Sequence, residues 1–478
     1  MRKLLATCHS VAFAILFACF APELHANNQA KEISAKLEEL CRQHDIPAMC
    51  AAIINGEGII HLQCFGNRKR ETIDPIDHTD RFPIGSNTKS MTATLAAVLV
   101  EAGKIEWKTT IGDVWPTATS KDIHPQLRNV TLDQLLSHQS GLPTNISDVS
   151  PQAWASFFEE KQSPTLERRR MLKLVLSQEP TQSQGKFMYS NLGYAVASAM
   201  LETRAGEPYE SLMKKYVFDP LEMRSARFRE LETAQKLEPP LLWGHKTDGT
   251  PIDPRSVGAE NPTVYAAAGT VHLSIEDYAK YARWQLAGMP APVLRSKSTY
   301  DHLHKPLVDK SATEKYGCGW ICLNTGHGPA LTHAGSNTNS FAVIWVIPKA
   351  NMAAIVCTNT GQPQAFPACD EMIGFLIKLY TRAESMQPSQ TAAVTPERLA
   401  GRYQLTPNFI LDVEYQDGHM LVGITNQPTQ EVFPDSPTLW SYRSVKAQLE
   451  FHLQASGPAI ALTLHQNGVA QRAKRIGD

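Results

Sequence analysis

Two long stretches of the chain place apolar residues at helical spacing, and a short polar motif stands in front of each. In FPIGSNTKSMTATLAAVLVEAGKI, which begins at Phe82, Met91, Leu95, Val98 and Leu99 fall at i, i+4, i+7 and i+8. That spacing predicts one apolar wall of a helix. GKFMYSNLGYAVASAML predicts a second apolar helix directly after Tyr189-Ser190-Asn191. An earlier helix is expected over ISAKLEELCRQH, followed by a hairpin of MCAAIING and IIHLQCFG that turns at Asn55-Gly56. Further along, SFAVIWVIPKANMAAIVCTN reads as two strands around a polar turn, with a helix from about Glu371. Strands at both ends with helices between them predict one sheet assembled from the two termini of this region. The expected class is α/β, with mixed helix and strand.

The period then changes. AESMQPSQTAAVTPE, from Ala383, is small, polar and proline-bearing, as linkers are. Beyond it Phe409, Leu411, Val413 and Tyr415 alternate with polar positions and Asp417-Gly418 closes a hairpin. Leu449, Phe451 and Leu453 repeat the alternation, as do Ile460, Leu462 and Leu464 before Asn467-Gly468. Short strands joined by tight turns predict a small antiparallel barrel or sandwich. The tail offers no acid–base pair or nucleophile and is expected to be a structural or lid-like appendage. The expected organisation is a leader over 1–26, a main domain over 27–383, a linker over 384–396 and a barrel over 397–478.

Length and charge narrow the picture. At 478 residues the chain exceeds one usual core. A net charge of −1 and the lack of a long basic run argue against nucleic acid or an anionic membrane surface as partner. MRKLLATCHSVAFAILFACFAPELHA has a basic start, an apolar run from Val11 to Phe20 and small or polar residues ending at Ala26. That is the layout of a secretory signal peptide, with cleavage expected after Ala26 and a periplasmic or secreted destination. Cys19 also sits in a stretch resembling a lipoprotein box, so a lipid anchor is the alternative. No later stretch reaches membrane-spanning length. Past the leader, Cys41, Cys50, Cys64, Cys318, Cys322, Cys357 and Cys369 form an odd set, leaving at least one free thiol unless chains pair. YGCGWICLN reads as strand with Cys318 and Cys322 on one face, and no second pair at metal-ligand spacing follows. No metal site is expected.

Ser86 and Lys89 stand one helical turn apart at the head of the first apolar helix. The plain reading makes Ser86 an N-cap and Lys89 a solvated first-turn residue. Ser183/Lys186 and Ser211/Lys214 show the same S-x-x-K spacing, so spacing alone singles out nothing. What does is the order of further polar groups. A lysine made basic by burial can take a serine's proton. Tyr189 can shuttle a proton, and Asn191 can hydrogen-bond a substrate amide. In PALTHAGSNTNSFAVIWVI, His333-Ala334-Gly335-Ser336 falls on an expected edge strand, where Gly335 lets a substrate backbone come close. A backbone N–H there, with that of Ser86, can form an oxyanion pocket.

S-x-x-K at Ser86, Y-x-N at Tyr189 and a third motif at His333 resemble, in this order, the penicillin-recognising serine hydrolases. Tyrosine in the second motif, with LLSHQSGLP from Leu135 and the block YSNLGYAVASAMLE, resembles the class C β-lactamase branch and its DD-peptidases, D-aminopeptidases and esterases. The resemblance spans about residues 35–380 and implies a β-lactamase/transpeptidase-like fold, an antiparallel sheet flanked by helices with a helical subdomain. The tail resembles the lipocalin-like barrel appended to some members. The resemblance further implies an acyl-enzyme mechanism without cofactor or metal. In it Ser86 attacks, Lys89 and Tyr189 move protons, Asn191 positions the substrate, and the N–H groups of Ser86 and Ser336 hold the oxyanion.

His333 departs from the lysine common in this position. Histidine near neutral pH is only partly protonated, which favours esters, amides or small D-amino-acid peptides over penicillin-type carboxylates. Two other readings stand beside hydrolysis of such a small substrate: a non-catalytic receptor for cell-wall fragments, and a scaffold whose barrel docks a partner. His138 in LLSHQSG is expected to be structural, bonded to nearby backbone. Specificity is expected from loops at about 140–185 and 225–265.

Overall fold

A computed structural model describes residues 28–159, 162–228, 236, 240–386, 394–425, 427–454, 457–466 and 469–477. The expected leader, with Cys19, and the expected turn at Asn467-Gly468 lie outside them, as does most of the expected linker. The chain divides into two compact units, Met1–Thr381 and Arg382–Asp478.

In the first unit, helix α1 (residues 28–43) leads into strands β1 (Ala48–Ile54) and β2 (Ile59–Gly66). The expected turn forms: Asn55 Oδ1 accepts from the N–H groups of Glu57 and Gly58. Helix α2 (Thr88–Glu101) follows, then α3 (Leu132–Leu136), α4 (Asn191–Ala205), α5 (Ile275–Leu286) and α6 (Lys297–His304). The chain then returns to the sheet through β3 (Val308–Asp309), β4 (Lys315–Tyr316), β5 (Ile321–Thr325), β6 (Gly328–Ser336), β7 (Phe341–Ile347) and β8 (Met352–Thr358), ending in α7 (Ala365–Met386). The eight strands pair antiparallel in the order β2-β1-β8-β7-β6-β5-β4-β3. Met49 faces Thr358, so the two ends of the unit share one sheet as predicted. One apolar layer packs the α1/α7 face, where Leu37, Met49, Val356 and Leu376 meet. The other holds α2 and α4 against the opposite face.

Cys50 and Cys64 are directly opposed across β1 and β2 and form a disulfide. Cys41, Cys318, Cys322, Cys357 and Cys369 are free and buried. The single-strand reading of YGCGWICLN is corrected. Gly317 and Gly319, the latter at φ +77°, turn the chain between β4 and β5, so Cys318 lies in a turn and only Cys322 lies on a strand. A Cβ on Gly319 would stand 2.5 Å from Ser90 N, so glycine lets this turn press on the first turn of α2.

The second unit is a closed antiparallel barrel of eight strands, β9 (Gly401–Thr406) to β16 (Val469–Gly477). Leu411, Val413, Leu449, Phe451, Leu462 and Leu464 point inward, as their alternation requires. Asp417 and Gly418 both take positive φ, the pair a type I′ hairpin turn needs. Closure removes the exposed edges that an open sheet would leave.

Candidate active site

Ser86 lies in a single 3-10 turn, Gly85–Asn87, immediately before α2, and its side chain caps no helix. The N-cap role is thereby set aside. Asn87 pins the turn instead, its amide donating to the carbonyls of Ile84 and Ala342, both at 3.0 Å. Helix α2 is buried on nearly every side, from Thr88 through Ala97. Its hydroxyls turn back on carbonyls or meet tyrosines: Thr92 Oγ1 donates to Ala267 O and meets Tyr209, and Thr94 meets Tyr281. A lysine in the first turn of this helix is enclosed by protein.

Lys89 is fully buried. Its Nζ lies 2.9 Å from Ser86 Oγ, 2.8 Å from Asn191 Oδ1 and 2.7 Å from Ala268 O. Desolvation holds its ammonium pKa well below the usual lysine value. The rings of Tyr189 and Tyr194 wall the amine at 4.9 and 5.4 Å. The rival pairs look different: Ser183, Lys186, Ser211 and Lys214 are exposed, and Lys214 bonds Asp219.

The second motif is set by a cap. Ser190 Oγ accepts from Gly193 N–H as N-cap of α4 and donates to Pro143 O. This puts Asn191 on the first turn and Tyr189 just ahead of it. Thr144 ties the motif to the LLSHQSGLP segment, its hydroxyl donating to Tyr189 O and its carbonyl accepting from Asn191 N–H. The Tyr189 hydroxyl hydrogen-bonds the Ser86 side chain, and burial raises the phenol pKa despite that bond. Asn191 Nδ2 donates to Asn145 Oδ1 at 2.8 Å, which leaves its oxygen for Lys89. His138 sits as expected: its Nδ1 accepts from Ser190 N–H, and its ring packs on Tyr189 at 4.2 Å.

The third motif corrects one expectation and refines it. Strand β6 lies inside the sheet, not at its edge. Its pairing with β5 nevertheless ends at Ile321↔Thr332, while β7 continues alongside to Ser336↔Phe341. One side of His333–Ser336 is therefore unladdered, and it faces the Ser86 turn. A Cβ on Gly335 would fall 2.1 Å from Ile84 O and 2.4 Å from Ser86 N. Only glycine allows that approach. Ser336 spends its hydroxyl within its own turn, on Ser340 O and Thr338 N–H, so its backbone is what it offers.

His333 is a second correction. It is buried, with Nε2 accepting from the Tyr316 hydroxyl at 2.9 Å and Nδ1 against Ala334 O at 2.7 Å. Burial pushes its pKa down to about 3, so the ring is neutral rather than partly charged. Ala268 O, Asn145 and Tyr316 were not foreseen. The small run Ala266–Gly269 was the available signal for the first: Gly269 would bring a Cβ within 3.4 Å of Gly85 C.

Comparisons with known proteins give the family and the fold. A family model described as Beta-lactamase matches residues 31–374. The chain is 22% identical over 471 residues to penicillin-binding protein 4* of Bacillus subtilis, covering 94% of this chain and 99% of that one. It is 25% identical over 269 residues to the unguisins hydrolase ungD of Aspergillus violaceofuscus, covering 55% of this chain but only 46% of that relative's length. Among solved structures it resembles the octameric penicillin-binding protein homologue from Pyrococcus abyssi, with a TM-score of 0.59 and 20% identity over 93% of this chain and 99% of that one. The chain therefore belongs to the beta-lactamase family, on the β-lactamase/transpeptidase fold, with a closed C-terminal barrel added.

Proposed function

We propose that the chain is a serine hydrolase that forms an acyl-enzyme at Ser86 on an ester, amide or D-amino-acid peptide bond. The environment of the Lys89 amine carries this reading. A neutral amine has two N–H donors and one lone pair. Asn191 Oδ1 and Ala268 O can only accept, so they take both donors. The lone pair is left for the Ser86 hydroxyl, which donates to it and becomes the nucleophile. Tyr189, its phenol pKa raised, keeps its proton near neutral pH and is placed to protonate the leaving group. The Ser86 and Ser336 N–H groups, beside one another across Gly335, suit the developing oxyanion. Water then releases the acyl group.

A neutral, buried His333 supplies no cation for a substrate carboxylate. This supports neutral esters, amides and D-peptides over penicillins. The Cys50–Cys64 bridge fits the export read from the first 26 residues, since disulfides persist in oxidising compartments. Among the described residues no helix is long and apolar enough to cross a membrane. N-terminal sequencing of the processed protein separates cleavage after Ala26 from lipidation at Cys19.

A fluorophosphonate probe followed by peptide mass spectrometry tests the proposal. One adduct on Ser86, absent from Ser86→Ala, is expected, with nitrophenyl esters or D-amino-acid amides turned over faster than a chromogenic cephalosporin. Labelling that survives Ser86→Ala ends this reading, and a wild-type chain that takes no label leaves the receptor. Faster cephalosporin turnover overturns the role given to His333.

A further inference from the structure

Beside α2 three metal-ligating side chains from distant parts of the chain converge. Asp133 comes from α3, His302 from α6 and Cys318 from the Gly317–Gly319 turn. Their ligand atoms lie within 4.8 Å of one another, and among the described residues no other group of three or more does so. His302 Nε2 is already 2.8 Å from Asp133 Oδ1. We propose that Asp133, His302 and Cys318 form a divalent-cation site, with zinc as the fitting ion, that ties α3, α6 and the β4–β5 turn together around α2.

The donor set is one that zinc takes: a carboxylate oxygen, an imidazole nitrogen and a thiolate, with a fourth position for water. A tetrahedral zinc with bonds of about 2.0–2.3 Å keeps its ligands roughly 3.3–3.8 Å apart. Closing the widest pair by about an ångström is therefore within side-chain movement. The surroundings orient the ligands as an outer shell does. The Trp107 ring stacks on His302 at 4.2 Å and 19°, while Asp133 N–H donates to Trp107 O and Asp133 O accepts from Ser137. Asp133 and Cys318 are buried, but His302 is partly exposed and gives an entry path. Lys108 Nζ, 3.4 Å from Asp133 Oδ2, is on a largely exposed side chain that can swing aside. On binding, the Cys318 thiol gives its proton to solvent and its sulfur pair to the ion; nothing is oxidised or reduced.

This amends the expectation of a chain without metal, and it shares no residue with the Ser86 machinery, so either proposal can fail alone. The test is titration of the chelator-treated full-length protein with Co²⁺, read by the near-ultraviolet thiolate-to-cobalt band, then displacement by Zn²⁺ and elemental analysis. One bound ion per chain with that band is expected, and loss of both in Cys318→Ser and in His302→Ala. Fluorophosphonate labelling of Ser86 reports that each variant is folded. Should Cys318→Ser not fold, His302→Ala carries the test from its partly exposed position. No uptake by the wild-type chain, or uptake that both variants keep unchanged, overturns the site and leaves a hydrogen-bonded packing cluster.

Discussion

Burial lowers the pKa of two basic side chains, Lys89 and His333, with opposite consequences. For Lys89 it favours the neutral amine, whose lone pair the proposed mechanism offers to the Ser86 hydroxyl. For His333 it removes a charge from the substrate side and leaves an acceptor for Tyr316. Both should be visible in pH dependence. An unfolded His333 binds a proton below its ordinary value of 6.5, whereas the folded ring resists until about 3. Its contribution to stability is complete above the first value and is lost as pH falls toward the second, at about 1.4 kcal/mol per pH unit. His333→Gln should lose that slope. Denaturant unfolding between pH 6.5 and 4 should show the gap between wild type and variant shifting in the variant's favour with acidity; parallel curves would mean that His333 is protonated in the fold.

At the scale of elements, close backbone approach builds the site. Gly335 brings β6 against the Ser86 turn, and Gly319 brings the β4–β5 turn against α2. Gly335→Ala must lift the strand from Ile84 O and misplace one of the two N–H groups proposed to hold the oxyanion. It should cost about 10²–10³ in the rate of Ser86 acylation while far-ultraviolet dichroism stays native. Full reactivity in that variant would remove β6 from the site. The three motifs were legible because each sits at the end of a regular element: Ser86 just before α2, Ser190 as the cap of α4, and His333-Ala334-Gly335-Ser336 at the close of β6. Ala268, Asn145 and Tyr316 were not, since only tertiary packing brings them to Lys89, Asn191 and His333. The β4–β5 turn was misread because alternation in YGCGWICLN hid two glycines that break the strand.

Among the described residues the apolar packing of the α/β unit, one layer on each face of its sheet, is separate from the core closed inside the barrel. A cavity made in the second should therefore leave the first chemically intact. Leu449→Ala, at a fully buried barrel position, should cost about 2–5 kcal/mol of barrel stability and leave Ser86 labelling at the wild-type rate. Loss of labelling in a folded variant would make the barrel part of the active unit. The proposed acylation of Ser86 depends on the amine one helical turn away. The most direct test is the rate of fluorophosphonate labelling against pH in wild type and Lys89→Ala. The wild-type rate should fall with acidity through one ionisation lying well below the ordinary lysine value of 10.5, and the variant should be about 10²–10⁴ slower at every pH. A Lys89→Ala protein that labels at the wild-type rate with the same profile would contradict it.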